Sequence, residues 1–464
     1  MTKTKATRDF TEGKIFLPML RFSLPVIAAS CLQQLYNTAD KVVVGQFSGE
    51  PNALGAIGCT VSLYSLLVAL CTGLSMGAGV TVAHRFGEHD ERSLSRAVHT
   101  AFSVGLFIGV LVGVFGFFLC RPLLTLMGTS EAFLDLAVLY MRLIFLGTPF
   151  FVLYNFGAAV LRSLGDSRTP LIILAVSGLL NVGFNFFFVL LFGMSVDGVA
   201  LGTIISQLAS AISVWWVIAY RTPMVRFRFR TLCVDRRSVS DIVRIGIPSG
   251  VQTALFAVSN VILQSAINGL PDPTVTGDSI CKSIGSYSSV ASTGVYQAVL
   301  TFTGQNAGAK KPERVKRVLW SGLLLSVLAV GVISWGSILL ADPLISLFVD
   351  PATQTNIPAI YAGARERMYF VLGPYIFCAI MDCITGHLRG RKYSFVPMVI
   401  CFFFACVFRV AWITFVYYPY LTPSLGNIYI CYTISWILNI ICLLTYVGII
   451  NRREKRASLK MQAI

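Results

Sequence analysis

Apolar residues run through this chain in blocks of about twenty or more, divided by short polar segments. A helix rises 1.5 Å per residue, so blocks of that length cross a hydrocarbon layer about 30 Å thick. Twelve blocks are present, with approximate limits 15–44, 53–80, 97–120, 132–155, 169–193, 196–219, 242–269, 284–306, 318–341, 359–386, 394–418 and 427–450. The fifth and sixth are separated only by the turn 193–198. The pattern predicts an all-α polytopic membrane protein, with twelve transmembrane helices in two pseudo-symmetric six-helix lobes.

The longest polar segment, 220–241, divides the chain. The expected parts are an N-terminal six-helix lobe (1–219), a cytoplasmic linker (220–241), a C-terminal six-helix lobe (242–450) and a basic cytoplasmic tail (451–464). The two halves repeat one another. Arg21–Pro25 (RFSLP) returns as Arg244–Pro248 (RIGIP), an offset of 223, and at that offset Asn37 falls on Asn260. Gly87 with Arg96 returns as Gly308 with Arg317, and Leu161-Arg162 with Pro170 returns as Leu388-Arg389 with Pro397. Six spans per repeat make it a parallel repeat, as in transporters whose lobes rock about a central site. A duplicated channel or a structural membrane protein carries the same pattern.

Charge fixes the expected orientation. Of 37 basic residues, 30 fall on one side of the membrane: at the two termini, in the central linker, and in the loops after spans 2, 4, 8 and 10. That bias places both termini in the cytoplasm. It also explains the net charge of +16 without a nucleic-acid partner. The segment Ile15–Val44 is too long for a signal-peptide core and no small-residue cleavage site follows it, so no cleaved leader is expected. The expected location is a bacterial cytoplasmic (cell) membrane, with the protein multi-pass and monomeric.

Other chemistry is sparse. The twelve cysteines lie mostly in apolar runs with no CxxC pair and read as small core residues. The four histidines make no metal spacing and no phosphate-binding loop is present, so neither a metal nor ATP is expected. No nucleophile–base pair can be placed, so the chain is not expected to be an enzyme. The run Gly73–Gly79 (GLSMGAG) follows no strand and reads as close helix packing.

Polar residues inside the spans are the candidates for function. Tyr36, Asn37 and Asp40 in the first span share one helix face. A carboxylate in hydrocarbon costs about 2.5–3.5 kcal/mol on insertion scales and is tolerated by taking a proton or a cation. Asp40 is then a coupling carboxylate, or an ordinary acid at the outer mouth of its helix. Span 5 supplies Asn181 and Asn185, four apart, and span 6 supplies Thr203 and Gln207. The two amides are either cation ligands or interhelical hydrogen bonds. Span 7 carries Gln252, Asn260, Gln264 and Asn268 along one side, and span 8 carries Gln297 among other polar groups. Such stripes line an aqueous cavity more readily than they face lipid. Asp382 and Arg409 are further charges within spans, and Asp382 falls on Asn155 in the repeat. They read as a structural ion pair or, for Arg409, as an anion-binding or charge-compensating group. The expected substrate cavity therefore draws on Asn155, Thr203, Gln207, Gln252, Asn260, Gln264, Gln297, Asp382 and Arg409. Some of the 56 aromatic residues are expected to line a site for flat, greasy cations.

Several longer motifs carry a family likeness. They are QQLYNTADKVVVG at 33–45, GEHDERS at 87–93, VLRSLGDSRTP at 160–170, LLNVGFN at 179–185, VDGVALGTIISQ at 196–207, IGIPSGVQ at 245–252 and TFTGQNAGAKKPERVKRV at 301–318. In this order and spacing the chain resembles, from end to end, the MATE (multidrug and toxic compound extrusion) family. The resemblance implies a V-shaped pair of six-helix lobes with alternating access. It implies export of organic, often cationic or lipophilic compounds, driven by inward flow of protons or sodium. Asp40 matches the family's first-span Asp, which binds the coupling cation, and Asn181 matches the span-5 Asn of that site. Asn185 departs from the Asp that many relatives carry there, span 7 has no acid, and Asp382 does not match the span-10 acid of some branches. The expected partners are small organic substrates and membrane lipid, with a proton or sodium as the only cofactor-like ion. The alternatives are a flippase for a lipid-linked or amphiphilic substrate and a non-transporting membrane scaffold.

Overall fold

Long helices account for nearly all of the chain. The computed structural model describes residues 8–47, 50, 52–225, 227–228, 232–349 and 356–462. Lys3, Lys5, Arg226 and Arg230, counted above among the cytoplasmic basic residues, lie outside the described residues, as do the side chains of Lys41 and Lys460.

Among the described residues the regular elements are all helical. The first half holds α1 (Phe16–Phe47), α2 (Ala53–Gly87), α3 (Glu91–Leu126), α4 (Glu131–Ser163), α5 (Arg168–Leu191) and α6 (Val196–Arg221). The second half holds α7 (Arg236–Ile267), α8 (Asp272–Gly308), α9 (Pro312–Leu339), α10 (Ile357–Gly390), α11 (Phe395–Tyr420) and α12 (Leu425–Gln462). A short helix, Ala341–Ser346, lies between α9 and α10. Eleven of the twelve are long and apolar enough to cross a membrane on composition alone, and α8 is the exception. Its first turns are rich in Ser, Thr and Gly and include Asp278 and Lys282. The sequence expectation of a span over 284–306 is corrected here: the helix begins at Asp272 and takes those charges inside.

Three helix starts are set by carboxylates. Asp90 accepts from Arg92 N and Ser93 N at the head of α3, and Asp166 accepts from Arg168 N and Thr169 N at the head of α5. Asp235 accepts from Ser238 N at 2.9 Å at the head of α7. Each satisfies backbone donors that have no partner within the helix. The repeat is visible in local structure too: Pro25 and Pro248 each sit inside the first helix of their half.

Contacts divide the chain into two compact units. One comprises Met1–Gly13, Arg21–Ala254 and Gly304–Arg314; the other comprises Lys14–Leu20, Leu255–Thr303 and Val315–Ile464. The first unit therefore takes in the start of α7 and the end of α8. Small residues make this possible. A Cβ on Gly73 or Gly77 of α2 would overlap the backbone of Gly250 or Ile242 on α7. One on Gly87 would overlap the Gln305 carbonyl at the end of α8. Backbones this close require glycine, as the GLSMGAG run suggested. The segment before α1 joins the same unit: Phe10 N donates to Gln305 Oε1 at 2.9 Å, and Gln305 Nε2 donates to the Ser163 carbonyl at 2.8 Å. In the second unit, π turns interrupt α10 at Met368–Leu372 and α11 at Phe403–Val407 and Ile413–Tyr417.

Candidate functional site

A cavity of about 440 Å³ opens within the first unit, walled by α1, α2, α4, α5, α6 and Thr253 of α7. The face of α1 that carries Tyr36, Asn37 and Asp40 lines it, as does Gln33 one turn earlier. Asn181 enters from α5, and Thr203 and Gln207 enter from α6. Asn185 does not line the cavity but donates from Nδ2 to Asp40 Oδ1 at 2.6 Å. Its residue is fully buried, at 0% exposure. One turn away, Asn181 Nδ2 donates to Thr203 Oγ1 at 3.3 Å, and Thr203 donates in turn to the Val199 carbonyl at 2.9 Å.

This arrangement leaves acceptors in excess. Among the described residues Asp40 forms no ion pair, and its hydrogen-bond partner is neutral. The side-chain oxygens Asn181 Oδ1 and Asn185 Oδ1 are buried with no hydrogen-bond partner. A buried, unpaired carbonyl is expensive to leave unsatisfied. Asn181 lines the cavity with Asp40, whereas Asn185 Oδ1 packs against α6 at Gly202.

Five aromatic rings stand among aliphatic and hydroxyl side chains on the rest of the wall. Tyr36, Tyr64, Tyr140, Tyr154 and Phe151 all line the cavity. Tyr36 OH donates to the Ala175 carbonyl at 3.2 Å, and a Cβ on Gly178 would overlap the Tyr36 ring. Glycine at that position gives the ring its place against α5. Tyr64, Tyr140 and Tyr154 escaped the sequence reading, because a tyrosine in an apolar run looks the same whether it faces lipid headgroups or a cavity.

The remaining expected cavity residues are dispersed. Asn155 is corrected: it is not among the residues lining this cavity, and its Nδ2 donates to the Phe151 carbonyl one turn back on its own helix at 2.8 Å. Its neighbour Tyr154 lines the wall instead. Gln252 is buried in α7, while Thr253 beside it reaches the cavity. Asn260, Gln264, Gln297, Asp382 and Arg409 belong to the second unit. There Asn260 accepts from Tyr432 OH at 3.0 Å, and Gln264 donates to Asn268 Oδ1 at 3.0 Å. Gln297 is half-buried in α8. The expected Asp382–Arg409 pair does not form. Asp382 accepts from Ser292 Oγ at 2.7 Å. Arg409 lies with its guanidinium 3.9 Å from the centre of the Tyr432 ring and donates from Nε to Ser435 Oγ at 3.1 Å. Aromatic stacking takes the place of the carboxylate.

A third charged group was missed altogether. Asp278 on α8 is 0% exposed and binds Arg367 Nη1 at 2.6 Å and Tyr429 OH at 2.7 Å. Arg367 also stacks over the Tyr429 ring, 4.7 Å from its centre, and donates to its hydroxyl. Among the described residues no group of three or more His, Cys, Asp or Glu side chains comes together to hold a metal ion.

Comparison with known proteins places this architecture. The model of the MatE family matches residues 25–187 and 248–413, one copy in each half. The chain belongs to the MatE family. Curated relatives cover between two thirds and nearly all of it. It is 23% identical over 456 residues to the probable multidrug resistance protein YoeA of Bacillus subtilis, covering 97% of each chain. It is 30% identical over 311 residues to YpnP of the same organism, also named a probable multidrug resistance protein, covering 66% of this chain and 68% of that one. It is 25% identical over 396 residues to the probable multidrug resistance protein NorM of Thermotoga maritima, covering 83% and 82%. Among solved structures, an outward-facing multidrug resistance MATE transporter of the MOP superfamily superposes with a TM-score of 0.86 at 21% identity, covering 99% of this chain and all of that one. A MATE protein in complex with MaD3S superposes with a TM-score of 0.85 at 20% identity, covering 96% and 98%. At that identity the structures establish the fold: twelve membrane-spanning helices in two six-helix lobes. The protein is thus a membrane protein of a transporter family, and its curated relatives are named as multidrug resistance or export proteins.

Proposed function

We propose that the protein is a cation-coupled antiporter that exports organic cationic or lipophilic compounds, with Asp40 as the coupling carboxylate. One observation carries the reading. A carboxylate in the first membrane-spanning helix lies on a cavity wall, with a neutral amide as its hydrogen-bond partner. Charge in that position is costly unless a proton or a cation neutralises it. A proton or sodium ion arriving from one side removes the charge; its departure to the other side restores it. If the two charge states favour different openings of the cavity, ion flow and substrate flow are linked. The tyrosine-lined wall supplies faces on which a flat organic cation can rest, each contributing about 0.5–2 kcal/mol. Asn181 would hold the ion through its free oxygen, and Asn185 would hold Asp40. With asparagine at 185, the site carries one carboxylate.

The same reading makes the ion gradient the source of energy rather than ATP. It places the protein in the cytoplasmic membrane with both termini inside, since the basic residues crowd that face. The unit of transport in this reading is a monomer.

The test is uptake of a fluorescent cationic dye into inverted membrane vesicles, under a proton gradient and then a sodium gradient. Wild type is expected to accumulate dye under one of them, which names the ion. Asp40→Asn is expected to lose at least about a hundredfold of that uptake, while its melting temperature stays at or above that of wild type, because the substitution removes an uncompensated charge. Equal uptake by Asp40→Asn, or uptake indifferent to both gradients, would remove the coupling role.

A further inference from the structure

Away from the cavity, two arginines flanking the α2–α3 turn and a third from the head of α7 converge on a second, polar pocket. It has a volume of about 250 Å³ and is lined by Arg85, Ser93, Arg96, Asp235 and Arg237. Arg85 closes α2, Ser93 and Arg96 stand in the first turns of α3, and Asp235 and Arg237 begin α7. We propose that this pocket binds a phosphate group, either that of an anionic lipid headgroup or a free phosphate.

The charge balance in the pocket favours an anion. Three guanidiniums face one carboxylate in the lining, and that carboxylate is already engaged: Asp235 accepts from Ser238 N at 2.9 Å and from Ser238 Oγ at 2.8 Å. Those hydrogen bonds, with the fields of Arg96 and Arg85, hold its carboxyl below the usual carboxylate range. Arg85 is largely neutralised from outside the pocket, donating to Glu88 at 2.9 Å and lying in the field of Asp241. Arg96 donates to Ser93 Oγ at 3.3 Å, and Arg237 makes no hydrogen bond or ion pair among the described residues. Asp90, which caps α3, binds Ser93 Oγ at 2.7 Å and meets Arg96 through its field rather than through a hydrogen bond. Two of the three guanidiniums thus hold unspent donors beside one another.

Like charges held together by separate helices repel, and an anion between them relieves that repulsion. Planar guanidiniums present paired N–H groups that match the oxygens of a phosphate. The volume is several times the roughly 30 Å³ of one water molecule, enough for a phosphate with part of its ester. The residues stand at the ends of three membrane-spanning helices, the level at which lipid phosphates lie.

The test measures binding of phosphatidylglycerol, phosphatidylcholine and inorganic phosphate to the full-length protein in detergent, for wild type and for Arg96→Gln/Arg237→Gln. The lipid source predicts that phosphatidylglycerol binds wild type more tightly than phosphatidylcholine does, and that the double variant binds it about 10- to 30-fold more weakly. The free source predicts saturable binding of inorganic phosphate that the double variant loses. Arg237→Lys keeps the charge and is expected to keep most of the binding. Should the double variant fold poorly, Arg237→Gln alone, a change at a side chain with no partner to lose, is expected to weaken binding about fivefold. Equal binding to wild type and variants, or no preference for phosphatidylglycerol together with no phosphate binding, overturns the proposal.

Discussion

Asp40 and Asp278 are both carboxylates in membrane-spanning helices, one in each half of the chain, and the protein treats them in opposite ways. Asp278 is paired: a guanidinium and a phenol hydroxyl bind its Oδ1, and the guanidinium is itself stacked on the phenol ring, while its Oδ2 is buried without a hydrogen-bond partner. Asp40 has a single amide donor and an open cavity wall. The first is neutralised permanently by the chain. The second is neutralised only by something that arrives and leaves. A buried acid is therefore a functional candidate in proportion to what the protein has not supplied to it.

The contrast breaks most severely at Arg367. Arg367→Met strands the Asp278 carboxylate in a fully buried position, and losing one partner of such a pair costs about 3–5 kcal/mol. The purified variant is expected to melt well below wild type, followed by tryptophan fluorescence. Adding Asp278→Leu to the same protein is expected to recover most of the loss, because the stranded charge goes with it. If Arg367→Met alone melts like wild type, the cluster does not staple α8, α10 and α12 together.

Why one carboxylate was legible in the sequence and the other was not follows from the same physics. Asp40 interrupts a strongly apolar run, and the spacing of Tyr36, Asn37 and Asp40 puts all three on one face, which lines the cavity. The twelve helices were legible for the same reason, since apolar runs of span length have few alternatives. Asp278 lies in a stretch rich in Thr, Ser and Gly, too polar to register as a span, so the expected helix began after it and the acid was assigned to a loop. Arg409 shows a different limit. That two charges lie in neighbouring spans says nothing about the rotation of each helix, so the expected pair with Asp382 was a guess about register. The structure gives Arg409 an aromatic face instead. The cavity tyrosines were invisible because apolar periodicity does not separate a belt facing headgroups from a wall facing a void.

A milder break lies at Asn185. Its amide is the donor that holds Asp40, and a hydrogen bond to a charged group is worth about 1.5–3 kcal/mol. Asn185→Leu removes that donor while leaving the carboxylate in place. Under the proposed function the ion concentration that half-saturates dye transport is expected to rise about tenfold or more. The melting temperature is expected to move by only a few degrees. A large loss of stability with unchanged ion dependence would make Asn185 a packing residue and return Asp40 to the status of an acid at a helix mouth.

The smallest effect belongs to two neighbours on α4. Tyr154 lines the cavity, and its hydroxyl donates to the Pro170 carbonyl at 3.3 Å; Asn155 bonds only to its own helix. A tyrosine face under an organic cation is worth about 0.5–2 kcal/mol, so Tyr154→Leu is expected to weaken dye affinity by roughly 2- to 30-fold. Asn155→Leu removes a side-chain bond to a carbonyl that already serves the helix ladder, an interaction that stabilises a helix little or not at all. Its expected effect is within about 0.5 kcal/mol, less than about threefold in affinity. Binding of the dye to both purified variants decides between the sequence repeat, which matched Asn155 to Asp382, and the cavity wall, which excludes it. A larger loss at Asn155 than at Tyr154 would mean that the substrate contacts Asn155 rather than the tyrosine beside it, and the aromatic wall would lose its assigned role.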